Sequence, residues 1–144
     1  MGQEAGNGAS PIRKLRDCLQ KVDFLGQLKL DELDKLLGAL KRRQCPPGVT
    51  VIKQGDPGDA FYMISSGRVE VFDKGKLLTS RHPGEYFGES ALVTDSPRMA
   101  TVKTAVETEL YVLYKEDFNK ILMQNPGISA AIRAHTVKLR QGGK

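Results

Sequence analysis

Glycines punctuate the middle of this chain at intervals too short to leave room for helices. Gly55, Gly58, Gly67 and Gly75 separate apolar and β-branched runs at residues 49–53, 61–65, 69–73 and 76–80. Two further runs follow at 100–105 and 109–114. Short runs of this composition between turn residues read as strands. Many such strands at close spacing predict a sandwich or a barrel.

Outside this stretch the apolar period changes. Ile12, Leu15, Leu19 and Val22 recur near helical spacing, which predicts a helix within 11–25. Leu33, Leu36, Leu37 and Leu40 repeat the pattern over 31–40, with Asp31 as the expected N-cap. Cys45-Pro46-Pro47-Gly48 then ends the helical part. After Tyr114 the period is helical again, with Phe118, Ile121 and Leu122 on one face. Asn125-Pro126-Gly127 breaks that helix. Ile128, Ile132, His135, Thr136 and Leu139 predict another, ending at Gly142-Gly143. The expected division is a Gly-rich polar tail at 1–10, disordered or foreign to the protein, and a helical segment at 11–44. A β core follows at 45–114, then C-terminal helices at 115–144. No internal repeat is present, so one ligand domain is expected rather than a tandem.

Composition excludes several classes. Charged residues make up 27% and hydrophobic residues 40% of the 144, which fits a soluble globular domain with a core of its own. No apolar run approaches ~18 residues, so no membrane-spanning helix is expected. Two cysteines, Cys18 and Cys45, form neither a disulfide framework nor a zinc spacing. A reducing, cytoplasmic compartment is the expectation. His82 and His135 stand apart, so no metal site is expected. Arg13, Lys14 and Arg16 form one basic cluster and Lys41-Arg42-Arg43 another. With a net charge of only +5, we read these as solvated faces and expect no nucleic-acid partner.

The most informative segment is Phe87-Gly88-Glu89-Ser90-Ala91-Leu92, followed by Pro97-Arg98-Met99-Ala100-Thr101. Gly88 lets backbone approach a ligand closely. Ser90-Ala91-Leu92 can begin a short helix, whose first N–H groups favour an anion. Arg98 adds a permanent charge and a planar fork of donors suited to phosphate. Pro97 stiffens its approach. Glu89 only accepts hydrogen bonds when ionised. A carboxylate beside an anion site makes sense if it takes a ligand hydroxyl. The implied ligand has both a phosphate and a hydroxyl. Each residue alone also fits an ordinary role, Glu89 as a first-turn glutamate and Arg98 as a surface arginine. Their ordered combination carries the reading.

This segment resembles the phosphate-binding cassette of cyclic nucleotide-binding domains. The likeness is nearest to those of cyclic-AMP-dependent protein kinase regulatory subunits and of cyclic-GMP-dependent protein kinases. Upstream, the run from Ile52 through Gly55, Gly58 and Gly67 resembles the same family's early strands and turns. The likeness covers roughly residues 19–123. It implies an eight-stranded β jelly roll with an N-terminal helical bundle and C-terminal helices. Its cassette corresponds to residues 87–101.

The resemblance also implies roles. Glu89 would accept from the ribose 2′-hydroxyl, with the Gly88 backbone against the same sugar. Arg98 would pair with the cyclic phosphate, helped by the N–H groups of Ala91 and Met99. Ser90 departs from the aliphatic residue usual there, and Ala100 completes the binding set. Leu92 matches a leucine that touches a mobile helix after the barrel, and Phe118, Ile121, Leu122 and Met123 match its helix partners. Gly55 and Gly67 match structural turn glycines. Met99 stands where cyclic-GMP-dependent kinases carry a threonine, and Thr79 where some cyclic-GMP sites carry an arginine. Both favour cAMP over cGMP as the ligand, with no other cofactor. Thr79 remains a candidate base contact, and Ile132, His135 and Leu139 are candidate lids over the base.

The implied function is a regulatory domain that senses cAMP and moves a C-terminal helix. A kinase catalytic domain or another effector would receive the signal, in cis or in trans. A cyclic-GMP-binding kinase domain and a nucleotide-blind interaction module are the alternatives. Few residues follow Tyr114, so no separate DNA-binding domain is expected. Catalysis is not expected, since neither a phosphate loop of the G-x-x-x-x-G-K-[ST] type nor a nucleophile–base order is present. Lys41-Arg42-Arg43-Gln44-Cys45 faintly resembles a kinase pseudosubstrate. It is expected where a helix enters the barrel rather than in a flexible linker.

Overall fold

Strand β3, Ala60–Ser66, opens with five buried residues in a row. A strand with one wet face alternates apolar and polar, and an unbroken apolar run means both faces are covered. The two faces meet different cores. Phe61 and Met63 join a cluster with Leu15, Leu19, Leu33, Leu36, Leu113 and Phe118. Ala60, Tyr62 and Ile64 join Cys45, Ile52, Val69, Val102, Leu110 and Val112. One cluster lies between the sheets, and the other between a sheet and the helices.

The computed structural model describes residues 15–21, 25, 28–92 and 96–124. In chain order it contains α1 (15–21), α2 (Leu30–Ala39), β1 (Lys41–Cys45), β2 (Thr50–Ile52), β3, β4 (Val69–Asp73), β5 (Lys76–Arg81) and β6 (Tyr86–Phe87). A 3-10 helix (Glu89–Leu92), β7 (Thr101–Thr104), β8 (Thr108–Tyr114) and α3 (Lys115–Met123) complete it. One sheet has the order β1-β8-β3-β6 and the other β2-β7-β4-β5. All pairs are antiparallel. The nested pairs β1–β8, β2–β7, β3–β6 and β4–β5 make an eight-stranded jelly roll. The fold class read from the sequence is therefore observed.

Two strands escaped the sequence reading. β1 lies mostly inside the segment read as helical to residue 44. Lys41, Arg42, Arg43 and Gln44 are exposed and only Cys45 is buried, so the strand carries no apolar alternation. It sits at a sheet edge, where charged side chains discourage pairing with other chains. Arg42 donates to the Glu109 carboxylate on β8. The basic run is thus held in a ladder with residues 108–112 and is no flexible linker. β6 has two residues, too few to show a period.

Helix α2 begins earlier than expected. Its cap is Lys29, whose N–H donates to the Glu32 carboxylate at 2.9 Å. Asp31 falls in the first turn beside Glu32, where both complement the helix dipole. Leu33 and Leu36 are buried as the spacing implied. In α1, Leu15, Cys18 and Leu19 are buried. Burial pushes the Cys18 thiol up to about 11, with Glu85 adding and Lys21 opposing. The 1–10 tail and Ile128, Ile132, His135, Thr136 and Leu139 lie outside the described residues.

Gly67 is a point of steric necessity. Its φ is +93°, and a Cβ there would run into the Glu107 carbonyl and lie 2.5 Å from Thr108 Oγ1. The Thr108 hydroxyl is itself committed, donating to Val106 O at 2.8 Å. Gly67→Ala is expected to destabilise the domain by roughly 2–5 kcal/mol, from left-handed strain plus overpacking. Urea unfolding checks this, and an unchanged midpoint contradicts it.

Candidate functional site

The loop carrying Arg98 is clamped by the turn after β2. Gly55 N–H donates to Arg98 O and Arg98 N–H to Asp56 O, both at 2.8 Å. Pro57 and Pro97 form a bridge beside this pair. Gln54 holds the next residues: its N–H donates to Thr101 Oγ1 at 3.0 Å and its side-chain amide to Met99 O at 3.1 Å. The backbone of the arginine loop is therefore set by residues forty or more positions upstream.

The guanidinium turns inward from this frame. Nη2 donates to Ala60 O at 2.6 Å and Nη1 to Gly88 O at 3.2 Å. The group lies over the Tyr62 ring, 6.0 Å from its centroid. Tyr62 stacks in turn on Phe87, with centroids 5.1 Å apart and planes 7° from parallel. Burial lowers the Arg98 pKa, while Tyr62, Asp59 and Glu89 oppose the shift. It stays protonated, because an arginine starts far above neutrality. Burial also raises the Tyr62 pKa, with Asp59 adding to it. The result is a half-buried permanent cation held by carbonyl dipoles.

Glycines make room for it. Gly88 has φ +78°, and a Cβ there would lie 2.9 Å from Arg98 Nη1 and 3.2 Å from Ile52 Cδ1. A Cβ on Gly58 would meet Ala91 Cβ at 2.8 Å and Arg98 Cζ at 3.4 Å. The sequence marked Gly58 only as a turn residue. Its tight packing against Ala91 and Arg98 is visible only in three dimensions.

A cleft of about 540 Å³ opens beside the cassette. Gly88, Glu89, Ser90, Ala91, Arg98, Met99 and Ala100 all line it. The seven residues singled out by the sequence thus converge on one cavity. Ile52, Val71 and Val102 give it an apolar wall, and Lys21, Arg81 and Glu85 are charged lining residues that the sequence did not mark. Met99 is 79% exposed. The Ala91 N–H donates to Gly88 O at 3.2 Å, so that carbonyl serves both Ala91 and Arg98. Thr79 is exposed, donates to Ser80 O at 3.4 Å, and is not part of the lining.

The coupling candidates also come together. Leu92, at the end of the 3-10 helix, and Phe118 of α3 belong to one buried cluster, with Ile121 packed against it. Leu122 and Met123 continue α3, but their side chains lie outside what is described. Among the described residues no group of three metal-binding side chains occurs. No described helix is long and apolar enough to cross a membrane.

Comparison with known proteins agrees with this geometry. The chain is 41% identical over 106 residues to the cAMP-dependent protein kinase regulatory subunit of Emericella nidulans, covering 72% of this chain and 26% of that protein. It therefore spans about a quarter of that relative's length. The regulatory domain of Toxoplasma gondii PKA, solved with cAMP, superposes with a TM-score of 0.69 at 26% identity, over 76% of this chain and 44% of that one. The N-terminal domain of a transcriptional regulator from Streptomyces coelicolor A3(2) gives a TM-score of 0.74 at 26% identity, over 88% and 94%. The cyclic nucleotide-binding domain pattern itself matches residues 42–125, and with the jelly roll and its cassette-lined cleft this places the chain in the cyclic nucleotide-binding domain family.

Proposed function

We propose that this domain binds a cyclic nucleotide, cAMP in preference to cGMP, and passes the event to a protein kinase. The single observation that carries the reading is the Arg98 guanidinium, half-buried beside the cleft and fixed by Gly88 and Ala60 carbonyls. A half-buried cation held by neutral carbonyls still gains from pairing with an anion. A cyclic phosphate meets it with charge-assisted hydrogen bonds. Glu89, on the same wall, takes the ribose hydroxyl. The Ile52, Val71 and Val102 side receives the base.

Binding also has a local route to conformational change. Ala91 N–H and Arg98 Nη1 share one acceptor, Gly88 O. A phosphate that takes over both donors frees that carbonyl and shifts the first turn of the 3-10 helix. Leu92 ends that helix and packs in the cluster with Phe118. A ligand that prefers one packing of this cluster shifts its population. The kinase as effector is supported by the relatives, which are cAMP-dependent protein kinase regulatory subunits. A cytoplasmic location belongs to the same proposal.

Calorimetric titration with cAMP and cGMP separately tests the reading. Saturable binding of both, tighter for cAMP, is the expected result. Binding of neither refutes it and leaves an interaction module in its place.

A further inference from the structure

The tip of the β4–β5 hairpin is strained. Asp73 pairs with Lys76, so Lys74 and Gly75 alone turn the chain. Their φ values are +52° and +84°, the sign that a two-residue hairpin turn of this hand requires at both positions. Glycine adopts such a conformation freely, whereas a lysine seldom does. Among the described residues no other non-glycine residue has a positive φ.

Gln54, in the turn after β2, holds this tip. Its Oε1 accepts from Lys74 N–H at 2.9 Å, and its Nε2 donates to Asp73 Oδ1 at 2.8 Å. Nε2 also donates to Met99 O at 3.1 Å. These partners fix the orientation of the amide, because an N–H only donates while a carboxylate and a carbonyl only accept. Glutamate, with the same length and shape, would keep the acceptor and lose both donors. One side chain thus joins the hairpin to the loop that carries Arg98. Gly55 and Asp56 already hold Arg98 O and N–H, and Gln54 holds the next carbonyl. Met99 and Ala100 line the cleft, so the peptide between them belongs to its wall, while Gln54 itself does not line it.

We propose that Gln54 is a positioning residue for the anion-binding loop, acting through Met99 O from outside the cleft. The inference rests on the nucleotide reading above. Several donors bind one anion best when they are aligned before it arrives. The Gln54 amide keeps the loop after Arg98 in that alignment and anchors it to the hairpin tip. The phosphate is common to both cyclic nucleotides, so Gln54 acts on cAMP and cGMP alike.

The test titrates three chains with cAMP and cGMP: the wild type, Gln54→Glu, and Gln54→Glu combined with Asp73→Asn. Urea unfolding of each is measured without nucleotide. Gln54→Glu sets two carboxylates face to face and leaves Met99 O without this donor. It is expected to lower the unfolding midpoint and to weaken both nucleotides about tenfold, the effect of one well-placed hydrogen bond. In the double variant the introduced asparagine amide donates to the introduced carboxylate, so the hairpin tether and the midpoint are expected to return. Met99 O still lacks its donor, and both affinities are expected to stay low. A merely structural residue would recover affinity together with the midpoint, and that result overturns the inference. Wild-type affinity in Gln54→Glu, or a loss confined to one nucleotide, overturns it as well. Should Gln54→Glu not fold, the double variant decides by the same comparison of affinity with midpoint. A wild-type chain that binds neither nucleotide overturns the proposed function and the inference with it, and the wild-type titration alone tells this failure from the others.

Discussion

Arg98→Ala is expected to cost roughly 2–5 kcal/mol of cAMP binding, the range for truncating one partner of a buried charge pair. Three effects add in that variant. The phosphate loses its charge-assisted donors. Ala60 O loses the Arg98 N–H, and Gly88 O is left with the Ala91 N–H alone. The face of Tyr62 loses the cation above it. Only the first concerns the ligand directly, so the fold must be checked by thermal unfolding beside the titration. Arg98→Lys separates charge from geometry. A lysine keeps the charge but has no planar fork to span two carbonyls, so it is expected to recover little of the lost affinity. An Arg98→Ala variant that binds cAMP as tightly as the wild type would remove Arg98 from the site.

The second large effect is expected at Phe118. This ring is fully buried in α3, in a cluster that includes Leu92, Leu33, Leu36, Leu19 and Leu113. The cluster joins the helices, the end of the cassette and the outer face of the first sheet. Phe118→Ala leaves a cavity among side chains fixed by several elements, so collapse is limited. The expected loss of stability is about 3–5 kcal/mol, read from urea denaturation. Phe118→Leu keeps most of the volume and is expected to lose far less. If Leu92 relays ligand binding to α3, that milder variant still binds cAMP but shows a smaller ligand-induced change in α3 hydrogen exchange. An unaltered exchange pattern would detach Phe118 from the relay.

Much of the site is legible along the chain because its parts are local. Gly88, Glu89, Ala91 and Arg98 lie within eleven positions, and their chemistry follows from residue type: a missing Cβ, a carboxylate, a guanidinium. The longer strands are legible for a similar reason, since apolar runs between glycines need no partner to be recognised. The misses share a different cause. β1 carries four exposed polar residues and owes its conformation to pairing with β8, more than sixty positions away. Asp31 suits a cap by residue type, whereas the Glu32 side chain reaches back to Lys29 N–H and starts the helix earlier.

Local residue order was enough for the class of fold, the cassette segment and the choice of Arg98 as its cation. These depend on the order of residue types within short windows. Tertiary structure alone decided that Ala60 O and Gly88 O hold the guanidinium, that Gly58 must be small, and that Arg81 enters the cleft while Thr79 does not. Each is a contact between segments brought together by strand pairing across the two sheets. Strand pairing is set by burial summed over the whole core, and no short window of sequence contains that sum.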